Sequence, residues 1–262
     1  MANIRYPAVA GSFYPADPHQ LQDMLSGFLG AVAPVAESAP KALIVPHAGY
    51  IYSGPIAASV YARLAPARAT IRRVVLVGPS HRVPFQGLAA SPAEKFASPL
   101  GSVPVDQEGI RALLDLPYFG YLEEAHRLEH SLEVHLPFLQ SLIEDFSLIP
   151  IVVGDATPEQ VATVLECLWG GPETLIVISS DLSHYHDYAT AQRMDSATSD
   201  AILALRPEDI GYQDACGRIP VGGLLLAARK QGLHGECVDL RNSGDTAGSR
   251  DRVVGYGGYV FR

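Results

Sequence analysis

Four short runs of apolar residues along the chain are continuous rather than alternating. They cover residues 41–45, 72–78, 147–154 and 173–179. A strand with one wet face carries polar residues at every second position, whereas a strand covered on both faces is apolar throughout. The pattern therefore predicts four parallel strands buried inside a sheet. A fifth run, residues 251–261, is rich in glycine and alternates more, which predicts a further strand.

Segments of helical length separate the predicted strands. Asp17 and Pro18 open the first of them with typical signals for the N-cap and the first helical position, and Thr157 opens another. The predicted helices span residues 17–29, 54–65, 106–115, 137–146, 157–169, 190–205 and 220–232. Strands alternating with helices predict an α/β protein with a mostly parallel central sheet flanked by helices. The length of 262 residues fits a single domain, 1–262.

Charge, cysteine content and the length of the apolar runs limit the partners and the cellular environment that we expect. The net charge is −9, and no block of Lys and Arg stands out, which argues against nucleic acid and anionic membranes as partners. Three cysteines without regular spacing do not predict a disulfide framework. The longest apolar run, near residues 221–228, is too short to cross a bilayer, and no signal peptide is recognisable. We therefore expect a reduced, cytoplasmic protein. Residues 31–40, rich in Ala and Pro, are predicted to join the first helix to the first strand.

Histidines follow three of the predicted strands. His47 comes after the first and His81 after the second, while Asp181 and His184 follow the strand at 173–179. In open α/β sheets, ligands bind outside the carboxyl ends of the strands, where side chains distant in sequence converge. Histidine is the commonest metal ligand and the usual acid or base near neutral pH. The positions predict a shared site, although a single histidine at a strand end is more often structural.

A cysteine in a predicted loop is a further candidate. Cys216 precedes a helix and has Arg218 nearby, a setting that favours a lowered thiol pKa. A thiolate there suits a metal ligand or a nucleophile. Cys167 and Cys237 are predicted to be structural, Cys167 on the apolar face of its helix.

The segment 129–135 contains two histidines. His130 and His135 are five residues apart, ~140° around a regular helix, so they do not both face one ion. In one interpretation, one of them lines the pocket together with Glu129 or Glu133. In the other, the segment is a polar entry to the helix that follows.

Six stretches of this sequence, in order through nearly the whole chain, resemble the Memo family, whose prokaryotic members are called AmmeMemoRadiSam system protein B. The stretches are RYPAVAGSFYPAD (5–17), VPHAGYIYSG (45–54), VGPSH (77–81), EHSLEVHLPFL (129–139), SSDLSHY (179–185) and CGRIPVGGLL (216–225). The resemblance implies a fold similar to the class III extradiol ring-cleaving dioxygenases, which use non-haem Fe(II).

The resemblance also implies a set of site residues. The metal ligands would be His47, His81 and Cys216, with Asp181 or His184 as alternatives that complete the ligand set. The catalytic group would comprise His184, Asp181 and His130, and Glu133 would line the pocket. Tyr50 and Tyr185 flank the candidate loops, and this position predicts that they line the pocket too. The dioxygenases use a carboxylate where this chain has a cysteine, so their activity does not follow from the fold.

Three functions remain open at the level of sequence. The favoured one is an iron-dependent redox enzyme acting on a small substrate, with Fe(II) as the expected cofactor and Zn or Cu as alternatives. The second is a zinc-type hydrolase, in which Asp181 or Glu133 activates water. The third is a module that binds a peptide or protein in the metal pocket. The family name further implies AMMECR-type and radical SAM proteins as pathway partners.

Overall fold

The computed structural model describes residues 3–33 and 38–262, so part of the predicted connection at 31–40 lies outside the described residues. The helices α1 to α8 are Pro18–Gly30, Tyr50–Tyr61, Gln107–Arg111, Glu123–Arg127, Leu136–Leu142, Pro158–Cys167, Tyr188–Leu203 and Arg218–Gln231. The strands β1 to β12 are Ile4–Arg5, Ala42–Val45, Arg73–Pro79, Leu88–Ala90, Lys95–Ser98, Gly101–Pro104, Phe119–Tyr121, Ser147–Val153, Thr174–Ser179, His184–His186, Gly235–Asn242 and Val253–Phe261. Short 3₁₀ turns cover Ala62–Ala67, Glu133–His135, Pro207–Asp209 and Ser243–Asp245.

A nine-stranded sheet forms the centre of the protein. Its order is β10-β12-β2-β9-β3-β8-β4-β7, and β11 also pairs with β12. The strands β2, β9, β3 and β8 are parallel and almost entirely buried, as their continuous apolar character predicts. Strands β1, β5 and β6 form a separate small sheet. The prediction of an α/β fold is confirmed.

The flanks of the large sheet are antiparallel, so the sheet is more mixed than predicted. Strand β12 pairs antiparallel with β2 and with β11, and β4 pairs antiparallel with β8. The β12 run contains three glycines and is almost entirely buried, so its antiparallel pairing does not follow from one solvent-facing side. Strand β12 also pairs with β11 along most of its length. Because the two strands are antiparallel, the connection between them needs no crossover helix.

Helices cover the sheet at several places. Helix α6 packs against α8, which also contacts β9 and β3, while α2 contacts β2, β11 and β12. Helix α2 begins at Tyr50, four residues before the predicted start at residue 54, and accommodates Pro55 within the helix. Helix α5 ends at Leu142 because Ile143 is already extended as the chain turns toward β8. Within the described residues, no helix is both long and apolar enough to cross a membrane.

Two buried histidines make the stability of the fold depend on pH. Burial lowers the pKa of His126 to about 4 and that of His135 to about 3. In the unfolded chain both side chains titrate near pH ~6.5. The unfolded state therefore takes up protons first as the pH falls, so the stabilisation is complete above pH ~6.5 and is lost progressively toward pH 4.

We expect each of these histidines to add about 1.4 kcal/mol per pH unit to the slope of unfolding free energy well below pH 6.5. Urea unfolding at several pH values between 4.5 and 7.5 measures the slope. The His126→Gln variant should flatten it by one such increment, whereas His234→Gln, at an exposed position, should not. An unchanged slope in His126→Gln would contradict the assignment.

Candidate metal centre

Three neighbouring parallel strands bring the predicted site together. His47 lies two residues after β2, His81 two residues after β3, and Asp181 two residues after β9. Because β9 lies between β2 and β3, the three strand ends meet at one edge of the sheet. One nitrogen of His47, one nitrogen of His81 and Sγ of Cys216 all lie within 4.8 Å of one another. These three side chains form a compact set of nitrogen and sulfur donors.

The loop that carries Cys216 is held against the end of β9. The backbone N–H of Asp181 donates to Cys216 Sγ at 3.3 Å, and the Cys216 N–H donates to the Asp181 carbonyl at 3.3 Å. Gly217 N–H donates to Ser180 Oγ at 3.0 Å. A Cβ at residue 217 would lie 2.6 Å from the carbonyl oxygen of Ser179, so only glycine permits this approach. The strand end thereby fixes the position of the sulfur.

A buried hydrogen-bond chain sets the tautomer of His47. Ser179 Oγ donates its proton to the Ser131 carbonyl at 2.6 Å, and the same oxygen lies 2.6 Å from His47 Nδ1. Because that proton is already donated, the hydroxyl must accept from Nδ1–H. Nε2 is then without a proton and lies 3.4 Å from Cys216 Sγ. His47 thus offers a bare nitrogen on the side where a cation would sit.

A carboxylate orients His81 by accepting a hydrogen bond from its Nδ1–H, as the Ser179 hydroxyl does for His47. Its Nδ1–H donates to Glu129 Oε1 at 2.9 Å, and its backbone N–H donates to Oε2 at 2.6 Å. Burial raises the pKa of Glu129, but the hydrogen bonds from His81 and from the backbone N–H of Ser131 outweigh burial and lower it to about 2. A metal-binding histidine usually donates its other ring N–H to a carboxylate of this kind, which fixes the orientation and tautomer of the ring. Glu129 therefore orients His81, and one of its oxygens also lies within 4.8 Å of ring nitrogens of His81 and His130, a second group of possible metal donors.

We expect the Ser179→Ala variant to bind metal 10- to 100-fold more weakly, because the ring orientation and tautomer of His47 are no longer held. Competition with a chromophoric chelator measures the affinity for Zn²⁺, and for Fe²⁺ under anaerobic conditions. Ser141→Ala removes a serine hydrogen bond to the Pro137 carbonyl within helix α5 and serves as control. Equal affinities of the two variants would rule out this role for Ser179.

The thiol of Cys216 does not have the lowered pKa that the sequence suggested. Burial, together with the nearby Asp181 carboxylate, raises the pKa of Cys216. The guanidinium of Arg218 lies 5.5 Å from the centre of the Tyr212 ring, and Arg218 is not among the groups that shift the pKa of Cys216 most. A coordinated cation deprotonates a thiol directly, so a thiolate at this position requires a bound metal. Cys167, predicted to lie in the core, is exposed at the end of α6.

Asp181 and His184 lie next to the donor set. Asp181 is buried and accepts the backbone N–H of His47 at 2.7 Å, while its second oxygen is 3.9 Å from His47 Nε2. Burial raises the pKa of Asp181. His184 Nδ1–H donates to the Leu182 carbonyl at 2.8 Å, which leaves Nε2 bare. Among the described residues, the compact donor group that contains Cys216 includes neither Asp181 nor His184.

His130 lies within a cluster of rings at the site. Its ring stacks on His81 with centroids 4.6 Å apart, and it meets His47 edge-on at 5.5 Å and Phe13 at 4.9 Å. Burial lowers the pKa of His130 to about 4, with the Glu129 charge acting in the opposite direction. The second histidine of this segment, His135, is separate and bonds to the hydroxyl of Tyr61 at 2.9 Å. The two histidines therefore have different environments, as their spacing predicts.

Two of the predicted pocket residues lie in the core instead. Tyr50 is buried, and its hydroxyl donates to the Val134 carbonyl at 2.6 Å. Glu133 is fully buried and pairs with Arg5, and it also accepts hydrogen bonds from the Tyr14 hydroxyl and two backbone N–H groups. Among the described residues, those that line the open cleft beside Cys216 include neither Tyr50 nor Glu133.

Tyr185 does lie in the open part of the site. A cleft of about 590 Å³ is lined by His81, His184, Tyr185, Cys216 and Arg218, among other residues. Tyr185 is 63% exposed and has a positive φ of 63°, which turns the chain sharply after His184. Sequence reasoning missed the buried Ser179, although a serine closing a continuous apolar strand is an unusual feature.

Comparisons with known proteins extend over the whole fold. A family model described as Memo-like protein matches residues 5–260. A MEMO1 family protein of Aquifex aeolicus is 38% identical over 272 residues, covering 98% of this chain and 99% of its own. A MEMO1 family protein of Archaeoglobus fulgidus is 37% identical over 270 residues, covering 99% of this chain and 100% of its own.

Among solved structures, an uncharacterized protein from Escherichia coli K12 has a TM-score of 0.52 at 14% sequence identity. The match covers 82% of this chain and 98% of that one, and at this identity it concerns the fold alone. The family model and the two relatives are stronger evidence, because they match nearly the whole length of this chain. The resemblance found in the sequence motifs is confirmed, and the chain belongs to the Memo-like protein family.

Proposed function

We propose that this protein is a metal-dependent redox enzyme that holds Fe(II) through His47, His81 and Cys216 and acts on a small organic substrate in the adjoining cleft. The observation that carries the proposal is the convergence of two imidazole nitrogens and one sulfur within 4.8 Å at an open cleft. Three protein ligands leave coordination positions for exogenous molecules, as in catalytic rather than structural metal sites.

The donor set fits such an ion chemically. Nε2 of His47 is bare, His81 is backed by an ionised carboxylate, and the buried thiol of Cys216 gains a charge partner when a cation binds. Bound Fe(II) supplies the capacity for redox chemistry with O₂.

The surrounding side chains supply acid–base and positioning functions. His184 presents its bare Nε2 and is the residue to take a proton from a substrate in the cleft. Asp181 holds the backbone of His47 in place through its hydrogen bond, and His130 packs beside both imidazole ligands.

The decisive experiment is anaerobic purification followed by metal analysis and by oxygen-uptake measurements with a panel of small organic substrates. We expect close to one iron per chain in freshly prepared protein, and substrate-dependent oxygen uptake that the His184→Gln variant loses while retaining its iron. Absence of iron from fresh protein, with no uptake after anaerobic reconstitution, would refute the proposal.

A zinc-dependent hydrolase is the second candidate because the donor set contains a thiolate. Nitrogen and sulfur sites generally hold Zn²⁺ more tightly than Fe²⁺, and bound zinc lowers the pKa of a water molecule to ~7. In this alternative Asp181, whose carboxylate is 3.9 Å from His47 Nε2, activates the water instead of Glu133, which pairs with Arg5. Turnover of esters or amides by the zinc form, without oxygen uptake by the iron form, would favour it.

A further inference from the structure

A second cavity adjoins the metal centre. The cleft of about 590 Å³ and a neighbouring cavity of about 700 Å³ share several lining residues. The shared residues are Pro79, Ser80, Tyr212, Cys216 and Arg218. We call the part that contains His81 and His184 the metal lobe, and the part that contains Phe85 the apolar lobe. The two lobes form one groove that passes Cys216.

The metal lobe is lined by cationic or neutral groups. Its titratable lining residues are His81, His184, His186, the two tyrosines, Cys216 and Arg218, and no described residue lining this lobe is an aspartate or glutamate. The carboxylates of Glu129 and Asp181 lie beneath the lobe and are buried. The whole chain has a net charge of −9, so a lobe without lining carboxylates is less negative than the protein as a whole. It favours an anionic ligand over a cationic one.

Arg218 lies where the two lobes meet. Its guanidinium lies 5.5 Å over the ring of Tyr212, and within the described part of the chain it has no carboxylate partner. The residue also begins helix α8, whose first turn adds partial positive charge. A planar guanidinium matches a carboxylate through two parallel hydrogen bonds.

The apolar lobe provides room for a hydrophobic substituent. Its lining includes Val83, Phe85, Val153, Ile219 and Pro220. Its one acidic lining residue, Asp155, accepts a hydrogen bond from Gln86 at 2.8 Å. Polar groups line this lobe as well, among them Gln86, so the apolar side chains form one wall against which an apolar substituent can pack.

We infer that the groove binds a small organic carboxylate with an apolar or aromatic substituent. The carboxylate pairs with Arg218 at the junction, the substituent occupies the apolar lobe, and the reacting group extends into the metal lobe. The assignment of the metal lobe to the reacting group rests on the proposed function, whereas binding of the carboxylate by Arg218 does not require it.

The test compares 3-phenylpropionate with its neutral isostere 3-phenylpropionamide by calorimetry, on metal-loaded and on chelator-treated protein. We expect the acid to bind roughly tenfold or more tightly than the amide in both forms, because a hydrogen-bonded ion pair adds about 1.5–3 kcal/mol. The Arg218→Gln variant should lose this preference. The matched control is Arg252→Gln, since Arg252 stacks on Tyr185 at 5.2 Å but does not line the cleft.

A second variant and the metal content separate the possible failures. Ile219→Ser should weaken 3-phenylpropionate more than acetate, because it removes apolar surface from the apolar lobe only. Three results would overturn the inference. The acid and the amide bind equally, or neither binds, or the preference for the acid requires metal and persists in Arg218→Gln. Loss of metal binding with an intact acid preference would instead contradict the proposed function.

Discussion

Replacement of Cys216 with serine is expected to weaken metal binding by more than 100-fold. The thiolate is the only anionic ligand among the three converging donors, and a serine hydroxyl neither ionises at neutral pH nor reaches as far as sulfur. Changes to outer-shell partners already cost 10- to 100-fold in affinity, so loss of a direct ligand should cost more. Chelator competition with Zn²⁺, and with Fe²⁺ under anaerobic conditions, gives the affinity of each variant.

Two controls make the Cys216 experiment specific. Cys167→Ser and Cys237→Ser change the remaining thiols, which lie in α6 and β11, and should leave affinity unchanged. Asp181→Asn tests the competing ligand set, since Asp181 is the carboxylate nearest to His47 Nε2. If Asp181→Asn loses the metal while Cys216→Ser keeps it, the third ligand is the carboxylate and the geometric assignment is wrong.

The arrangement of the strand-end histidines was predictable because it depends on topology alone. Continuous apolar runs identify β2, β3 and β9 as buried parallel strands, and parallel strands of one sheet have their carboxyl ends at one edge. His47 and His81 follow two of these strands at the same distance. Their proximity then follows without any knowledge of side-chain conformations.

The groups that tune the site were less predictable, because they depend on contacts between distant segments. Ser179 is one buried serine among many until its proton is traced to the Ser131 carbonyl. The pKa of Cys216 depends on burial and on the nearby Asp181 carboxylate, and a spacing in the sequence reveals neither. The antiparallel flanks of the sheet arise likewise from pairing across a long sequence separation, between β12 and β2.

Glu133 is a second example of a role that sequence alone does not reveal. A charged residue in a histidine-rich motif suggests catalysis, whereas this carboxylate lies in the core. Its carboxylate pairs with Arg5 and accepts hydrogen bonds from Ala8 N–H at 2.7 Å, Val9 N–H at 2.9 Å and the Tyr14 hydroxyl at 2.6 Å. Arg5 in turn donates to the Glu129 carbonyl at 2.6 Å. The network ties the N-terminal segment to the loop that carries His130.

The Glu133→Gln variant is therefore expected to lower the free energy of unfolding by about 3–5 kcal/mol, the usual cost of leaving a buried charge without its partner. Urea unfolding at pH 7 measures the loss, and Glu124→Gln, on the exposed side of α4, should change stability by less than about 0.5 kcal/mol. At temperatures where the variant remains folded, its metal affinity should stay within a few-fold of the unmodified protein. A stable Glu133→Gln variant that binds metal normally but has lost turnover would show that the carboxylate acts in the reaction, as the sequence alone had suggested.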